Sequence, residues 1–281
     1  MTIDSSDRRS GGPTRAGEAT IRRLRPFLTF LVLGSFGAEA AADTFRATYA
    51  LSIIGLSIGN AYAKANLQPN AYQIDIGVKL GGVAALVSNA RGAATASGTI
   101  ANIDILPSAY ANTSANSNET RTVRMSLDAG NVKAKEITPP FPDPEERLPV
   151  TDAMKRRIVD PVSGLLMRVP DGQSLVGPAA CDRKVHVYDG LVRFDVTLSY
   201  TGTKQVQTRG YSGPVTICAA RYAPIAGFRR DSSATRYMAN NREMEVWLAP
   251  YEKLRIVVPF HVSIKTNAGT LLIQASEFHL E

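Results

Sequence analysis

The chain has 281 residues, 44% hydrophobic and 20% charged, with 22 Gly, 16 Pro and a formal net charge of +7. That is the composition of a globular chain, and it excludes disordered, collagenous and multi-spanning membrane classes. Two cysteines and three histidines, far apart in sequence, exclude zinc-finger and iron–sulfur frameworks.

Residues 1–42 read as an export signal. Arg22, Arg23 and Arg25 precede the apolar run 27–33, and small residues follow as far as Ala40, Ala41 and Ala42. A basic n-region, a short h-region and an A-x-A site predict a secretory signal peptide cut after Ala40 or Ala42. The apolar run is too short to span a bilayer, and no Cys stands at the cut to carry a lipid anchor. The expected destination is the periplasm, with residues 43–281 as one domain. There a mildly basic protein meets anionic head groups or acidic wall polymers, not nucleic acid, and peripheral membrane contact is open to it.

Period-two alternation dominates the mature chain. Phe45, Ala47, Tyr49, Leu51 and Ile53 point one way, and Thr44, Arg46, Thr48 and Ser52 the other. Tyr72, Ile74, Ile76, Val78 and Leu80 repeat the pattern, with Gly55-Leu56-Ser57-Ile58-Gly59 offering a tight reversal between the two. Residues 83–88 suit a short helix before a strand over 92–99. Residues 122–127 and 132–137 flank Asp128-Ala129-Gly130-Asn131, a hairpin signal. Pro139, Pro140, Pro142 and Pro144 forbid helix interior and central strand, so an extended connection follows. Two short helices are expected next: 153–159, capped by Thr151 or Asp152, and 162–167, capped by Asp160 with Pro161 in the first turn.

Asp189-Gly190 predicts a two-residue hairpin, with Val187 facing Val192, Val185 facing Phe194 and His186 facing Arg193. Further strands are expected over 215–222, 244–248, 255–265 and 271–278. Within the longest, Ile256, Val258, Phe260, Val262 and Ile264 read as one apolar face. The expected fold class is all-β and mainly antiparallel: a single large twisted sheet, closed or nearly closed into a barrel or spiral, with one or two short helices.

Cys181 and Cys218 are the only thiols, and an oxidising compartment predicts their pairing. No Walker loop, dinucleotide fingerprint or carboxylate pair stands out. Gly210-Tyr211-Ser212-Gly213-Pro214 lacks the second glycine of a nucleophile elbow and reads as a turn. No metal or other cofactor is expected. His186 with Asp189 or Asp195 has the residue types for acid–base work, but the expected register puts His186 on a solvated face, and His261 on the exposed side of its strand. The basic clusters Lys155-Arg156-Arg157 and Arg229-Arg230, the latter with Arg221 near in sequence, suit phosphate or anionic head groups. His186, Arg193 and Trp247 join Arg156, Arg157, Arg221, Arg229 and Arg230 as candidate ligand or anion contacts. Tyr49, Tyr72, Phe194, Tyr200, Trp247 and Phe260 are candidates to line an apolar cavity.

Three stretches carry a family likeness: residues 49–63, Val187-Tyr188-Asp189-Gly190-Leu191-Val192-Arg193-Phe194-Asp195, and residues 218–228, beginning Cys218-Ala219-Ala220-Arg221-Tyr222. Over nearly all of the mature chain the sequence resembles DUF3108, a family of exported bacterial proteins of unknown function. The resemblance implies a periplasmic β protein of a Gram-negative envelope and brings no catalytic residue with it. The plan is also similar to envelope-integrity proteins with a spiral, lipoprotein-carrier-like sheet, a likeness of fold alone. The expected function is non-catalytic: envelope maintenance by a monomer that binds a lipid-like, amphipathic ligand or an envelope partner protein. An envelope hydrolase using His186 with Asp189 or Asp195 and a wall-polymer-binding module are the alternatives.

Overall fold

The computed structural model describes residues 43–280 apart from 83 and 85–88. The expected export segment 1–42 lies outside the described residues, as does most of the helix expected over 83–88.

The alternating segments form β1 (Asp43–Ile53), β2 (Leu56–Leu67), β3 (Ala71–Leu80), β4 (Arg91–Ala101), β5 (Asp104–Ala115), β6 (Thr120–Asp128) and β7 (Asn131–Thr138), an antiparallel meander. After a long connection come β8 (Met167–Arg168), β9 (Arg183–Tyr188), β10 (Arg193–Thr208), β11 (Tyr211–Ala226), β12 (Met244–Tyr251), β13 (Ile256–Thr266) and β14 (Gly269–Leu280). All belong to one sheet, ordered β7-β6-β5-β4-β3-β2-β1-β14-β13-β12-β11-β10-β9, with β8 paired to β13. The fold is therefore all-β and antiparallel.

Two early strands exceed the expectation. The first reversal uses Ile54 and Gly55, both with positive φ, so the glycine-containing stretch after it becomes the start of β2. β5 runs through the polar, Asn-rich stretch to Ala115, with Pro107, Tyr110 and Ala115 buried along it.

The sheet curls until β7 and β9 approach without pairing, and connecting residues fill the seam. Ile158 N donates to Gly130 O in the β6–β7 turn at 3.0 Å, and Val159 forms a parallel bridge with Val187 of β9. Gly190, in the loop after β9, packs against β6, where a Cβ would fall 2.4 Å from Val123 Cγ1. Pairing of 158–159 across the seam ends the helix expected over 153–159, and pairing of Met167 with β13 ends the one expected over 162–167. Backbone groups paired across the seam cannot also serve an i→i−4 ladder. Only 3-10 turns remain, Ala153–Lys155 and Ser163–Leu165. Asp160 still caps the second, its Oδ1 accepting from Val162 N and Ser163 N at 2.9 Å each. Among the described residues the α-helices are α1 (Pro178–Cys181) and α2 (Ser233–Asn240), the latter capped by Ser232 Oγ accepting from Thr235 N.

The connection also supplies the core. Ile158, Val162 and Leu166 pack inside the curl with Phe45, Tyr72, Tyr110, Phe260 and Phe278. Each such burial stabilises by about 1.5–3 kcal/mol. The Tyr72 hydroxyl donates to Ser163 Oγ at 2.7 Å, and Ser163 Oγ donates to the fully buried Asp160 carboxyl. Burial raises the Asp160 pKa above the usual carboxylate range. A second core covers the opposite face of β10 to β13, where Met167, Val169 and Ala180 meet Leu198, Leu248 and Val257. The Cys181–Cys218 disulfide lies in it and ties α1 to β11.

β13 corrects two expectations at once. Trp247 pairs with His261 and Leu248 with Pro259, which leaves Phe260 as the extra residue of a bulge. A bulge breaks the two-residue period. Ile256, Val258 and Phe260 therefore face the inner core, while Val262 packs against the outer one, so the five residues do not share a face. His261 is brought inward, 9% exposed, with its ring 4.4 Å from that of Trp247 and Nδ1 2.6 Å from Gln274 Oε1.

Candidate functional site

The β9–β10 hairpin sets the geometry. Asp189 Oδ1 accepts from Leu191 N at 2.8 Å and Val192 N at 2.6 Å, closing an Asx turn. The loop is thereby longer than two residues, and the register slips by two: Arg193 pairs with Tyr188, Phe194 with Val187 and Asp195 with His186. A slip of two keeps every side chain on its face but changes every partner. His186 thus meets Asp195 where Arg193 was expected.

Asp195, with a side chain 6% exposed, gathers three cationic or basic groups. His186 Nδ1 lies 2.7 Å from Oδ1, Arg193 Nη1 2.6 Å from Oδ1 and Lys184 Nζ 3.0 Å from Oδ2. Burial works to raise its pKa, but hydrogen bonds from His186, Arg193 and Lys184 outweigh it and hold the carboxyl at about 2. Two partners make opposite demands on His186 Nδ1: the Asp195 carboxylate only accepts, and Arg193 Nη2, 3.1 Å away, only donates.

Lys184, His186 and Arg193 form one wall of a cleft of about 900 Å³ at the seam. Arg156 and Arg157 enter from the connection, Arg168 from β8, and Arg183, Lys184, His186 and Arg193 from β9 and β10. Asp104 and Asp182 are the acidic side chains of its lining. Arg183 is held by donating to Arg168 O at 3.0 Å and Ala179 O at 2.7 Å, and burial lowers its pKa. Arginine stays charged at any accessible pH, so the cleft concentrates positive potential toward an incoming anion. No Ser, Thr or Cys lines it.

On the other face of β9 lies a second cavity, of about 300 Å³. Adjacent strand residues point to opposite faces. Lys184 and His186 therefore line the cleft, while Val187, Phe194 and Val196 line this cavity with Leu165 and, from α2, Met238. Apart from Glu245, Ser263 and the Tyr222 hydroxyl, its lining is apolar. Gly164, Met167 and Val185 line both spaces, because the connection crosses the edge of β9 between them.

Of the residues singled out from sequence, Arg156, Arg157, His186 and Arg193 converge on the cleft, and the others do not. Arg229 is neutralised by Asp143 at 3.1 Å and by Glu146. Arg230 is exposed and holds Glu146 O through its backbone N–H. Arg221 donates to the Arg242 carbonyl at 2.9 Å. Trp247 sits on the inner face, donating to Glu245 Oε1 at 2.5 Å with Lys204 over its ring. Tyr49, Tyr72, Trp247 and Phe260 belong to the packed core and Tyr200 is exposed, so Phe194 is the aromatic among those six that lines the apolar cavity. Sequence reasoning missed Arg168, Arg183 and Lys184. The i,i+2 spacing of Lys184 and His186 on a strand was a usable signal, but nothing local links Arg168 to them. Among the described residues no group of His, Cys, Asp and Glu is arranged to hold a metal ion.

The model of a family described as a protein of unknown function, DUF3108, matches residues 44–274. No curated protein matches the chain. Among solved structures, the chain is similar to a β-barrel-like protein of domain of unknown function DUF1849 from Brucella abortus. The two share 10% identity at a TM-score of 0.48, over 86% of this chain and 99% of that one.

Proposed function

We propose a binding role for this chain, which belongs to the DUF3108 family: a non-catalytic protein of the periplasm that serves the cell envelope by taking the anionic group of an amphipathic ligand into the seam cleft. The observation that carries the reading is the convergence of Arg156, Arg157, Arg168, Arg183, Lys184 and Arg193 on one concave space, where a single Asp195 carboxylate answers both Lys184 and Arg193 while Arg156 and Arg157 stay exposed. Guanidinium groups recognise phosphate and carboxylate by paired, charge-assisted hydrogen bonds. The export signature over residues 1–42 and the disulfide support an oxidising destination.

The test is titration calorimetry of the purified mature protein with glycerophosphoglycerol, the soluble head group of an anionic phospholipid. Binding that weakens with salt, and falls about tenfold or more in an Arg156→Gln/Arg157→Gln variant, is the expected result. Both residues are exposed, so the variant should melt at the wild-type temperature. Equal affinity in the two proteins removes the reading.

One observation favours a second reading. The His186–Asp195 pair has the geometry of an oriented general base, and water activation in the cleft would use it. Replacing His186 by Ala and finding unchanged turnover of any phosphoester that the wild-type protein hydrolyses removes that alternative.

A further inference from the structure

The apolar cavity and the basic cleft lie on the two faces of a single edge strand and share Gly164, Met167 and Val185 as a common wall. From this juxtaposition we infer that the ligand is a single-chain anionic phospholipid, its head group among the cleft arginines and its acyl chain bent over the crossing segment at Gly164 and Leu165 into the apolar cavity.

The inference rests on the reading of the cleft as an anion site and adds what the anion is attached to. A cavity lined by Phe194, Val196, Val262, Ile264 and Met238 offers an acyl chain contact without hydrogen-bond demands. Its volume of about 300 Å³ stands at the small end of ligand pockets, which accommodates one chain and not two. Leu165, part of the crossing segment, is 36% exposed at the rim, where a chain would enter. Charge complementarity fixes the polarity: the Arg-rich cleft takes the phosphate, and the apolar side takes the tail. Met238 comes from α2, a helix of eight residues that lies over the cavity, and a thioether adapts readily to a variable chain.

The experiment compares myristoyl lysophosphatidylglycerol, below its micelle concentration, with glycerophosphoglycerol on the purified mature protein. Burial of the chain should make the lipid bind on the order of a hundredfold tighter than its head group alone. Ala220 lines the apolar cavity, so Ala220→Phe should fill it and return the lipid to the head group's affinity while leaving head-group binding unchanged. Leu165→Asp, at the exposed rim, gives the same readout should the filled variant not fold. If the lipid binds no tighter than the head group, or if both variants keep the wild-type lipid affinity, the inference is overturned while the cleft remains an anion site. If neither molecule binds the wild-type protein, the reading of the cleft falls and this inference with it.

Discussion

His186 faces Asp195 across the β9–β10 ladder, with Nδ1 2.7 Å from Oδ1, and Arg193 and Lys184 close on the same carboxylate. One buried acid thus organises the basic wall of the cleft.

Asp195→Asn should cost about 3 kcal/mol. Loss of one partner leaves the buried Arg193 uncompensated, while the half-exposed His186 and Lys184 stay hydrated. Because the folded-state pKa of about 2 lies below the ordinary value of about 3.9, this contribution is complete above pH ~4 and disappears as pH falls toward 2. Chemical denaturation of both proteins at neutral pH and near pH 2 measures it. The gap between them should narrow in acid.

His261 sets a second pH dependence. Burial is the largest influence and lowers its pKa, partly offset by Gln274 and Glu245, with Lys204 acting in the same direction as burial. The unfolded chain then binds a proton that the folded chain refuses, so stability is lost as pH falls below ~6.5. His261→Gln should flatten the melting temperature between pH 7 and 5. A slope identical to wild type would show that other groups govern that range.

Replacing Cys181 and Cys218 by Ser removes a link between residues 37 apart. The loop-entropy estimate for such a closure is about 4 kcal/mol, an upper figure. The loss should appear in thermal melts under non-reducing conditions. Head-group affinity should fall less than in the Arg156→Gln/Arg157→Gln variant, because Arg183 is the cleft cation that bonds to α1, through the Ala179 carbonyl. A melting temperature equal to wild type would contradict the role assigned to the disulfide.

Gly190 closes the seam. Its φ is +96° and an added Cβ would strike Val123. Gly190→Ala should therefore destabilise by about 1–3 kcal/mol through backbone strain, with the clash in addition. Gly172→Ala, also at positive φ but with open space around it, should cost only the strain. Comparing their denaturation midpoints separates the seam contact from the backbone effect.

The period-two runs of β1, β3 and β10 were legible in the residues alone, because alternation on a half-buried strand is a local property. So were the Ala129-Gly130 turn, where both residues take positive φ, and the Asp160 cap. What failed was non-local. The chain at 158–159 lies between two 3-10 turns, yet it pairs across the seam because Gly130 and β9 offer it backbone partners that only the curled sheet brings near. The hairpin at Asp189 slipped by two because a side chain captured two backbone N–H groups. The bulge at Phe260 turned His261 inward.

The same division holds for the site. Residue types established that the chain is a basic, two-cysteine β protein, since composition and alternation are sums over single residues and their neighbours. Which cations meet was settled by tertiary structure alone. Arg229 and Arg156 look alike in sequence, but Arg229 folds against Asp143 and Glu146, while Arg156 lines the same open cleft as Arg168 and Lys184. Electrostatic function depends on distances between charges, and those distances exist only once the sheet has curled and the connection has crossed the edge of β9.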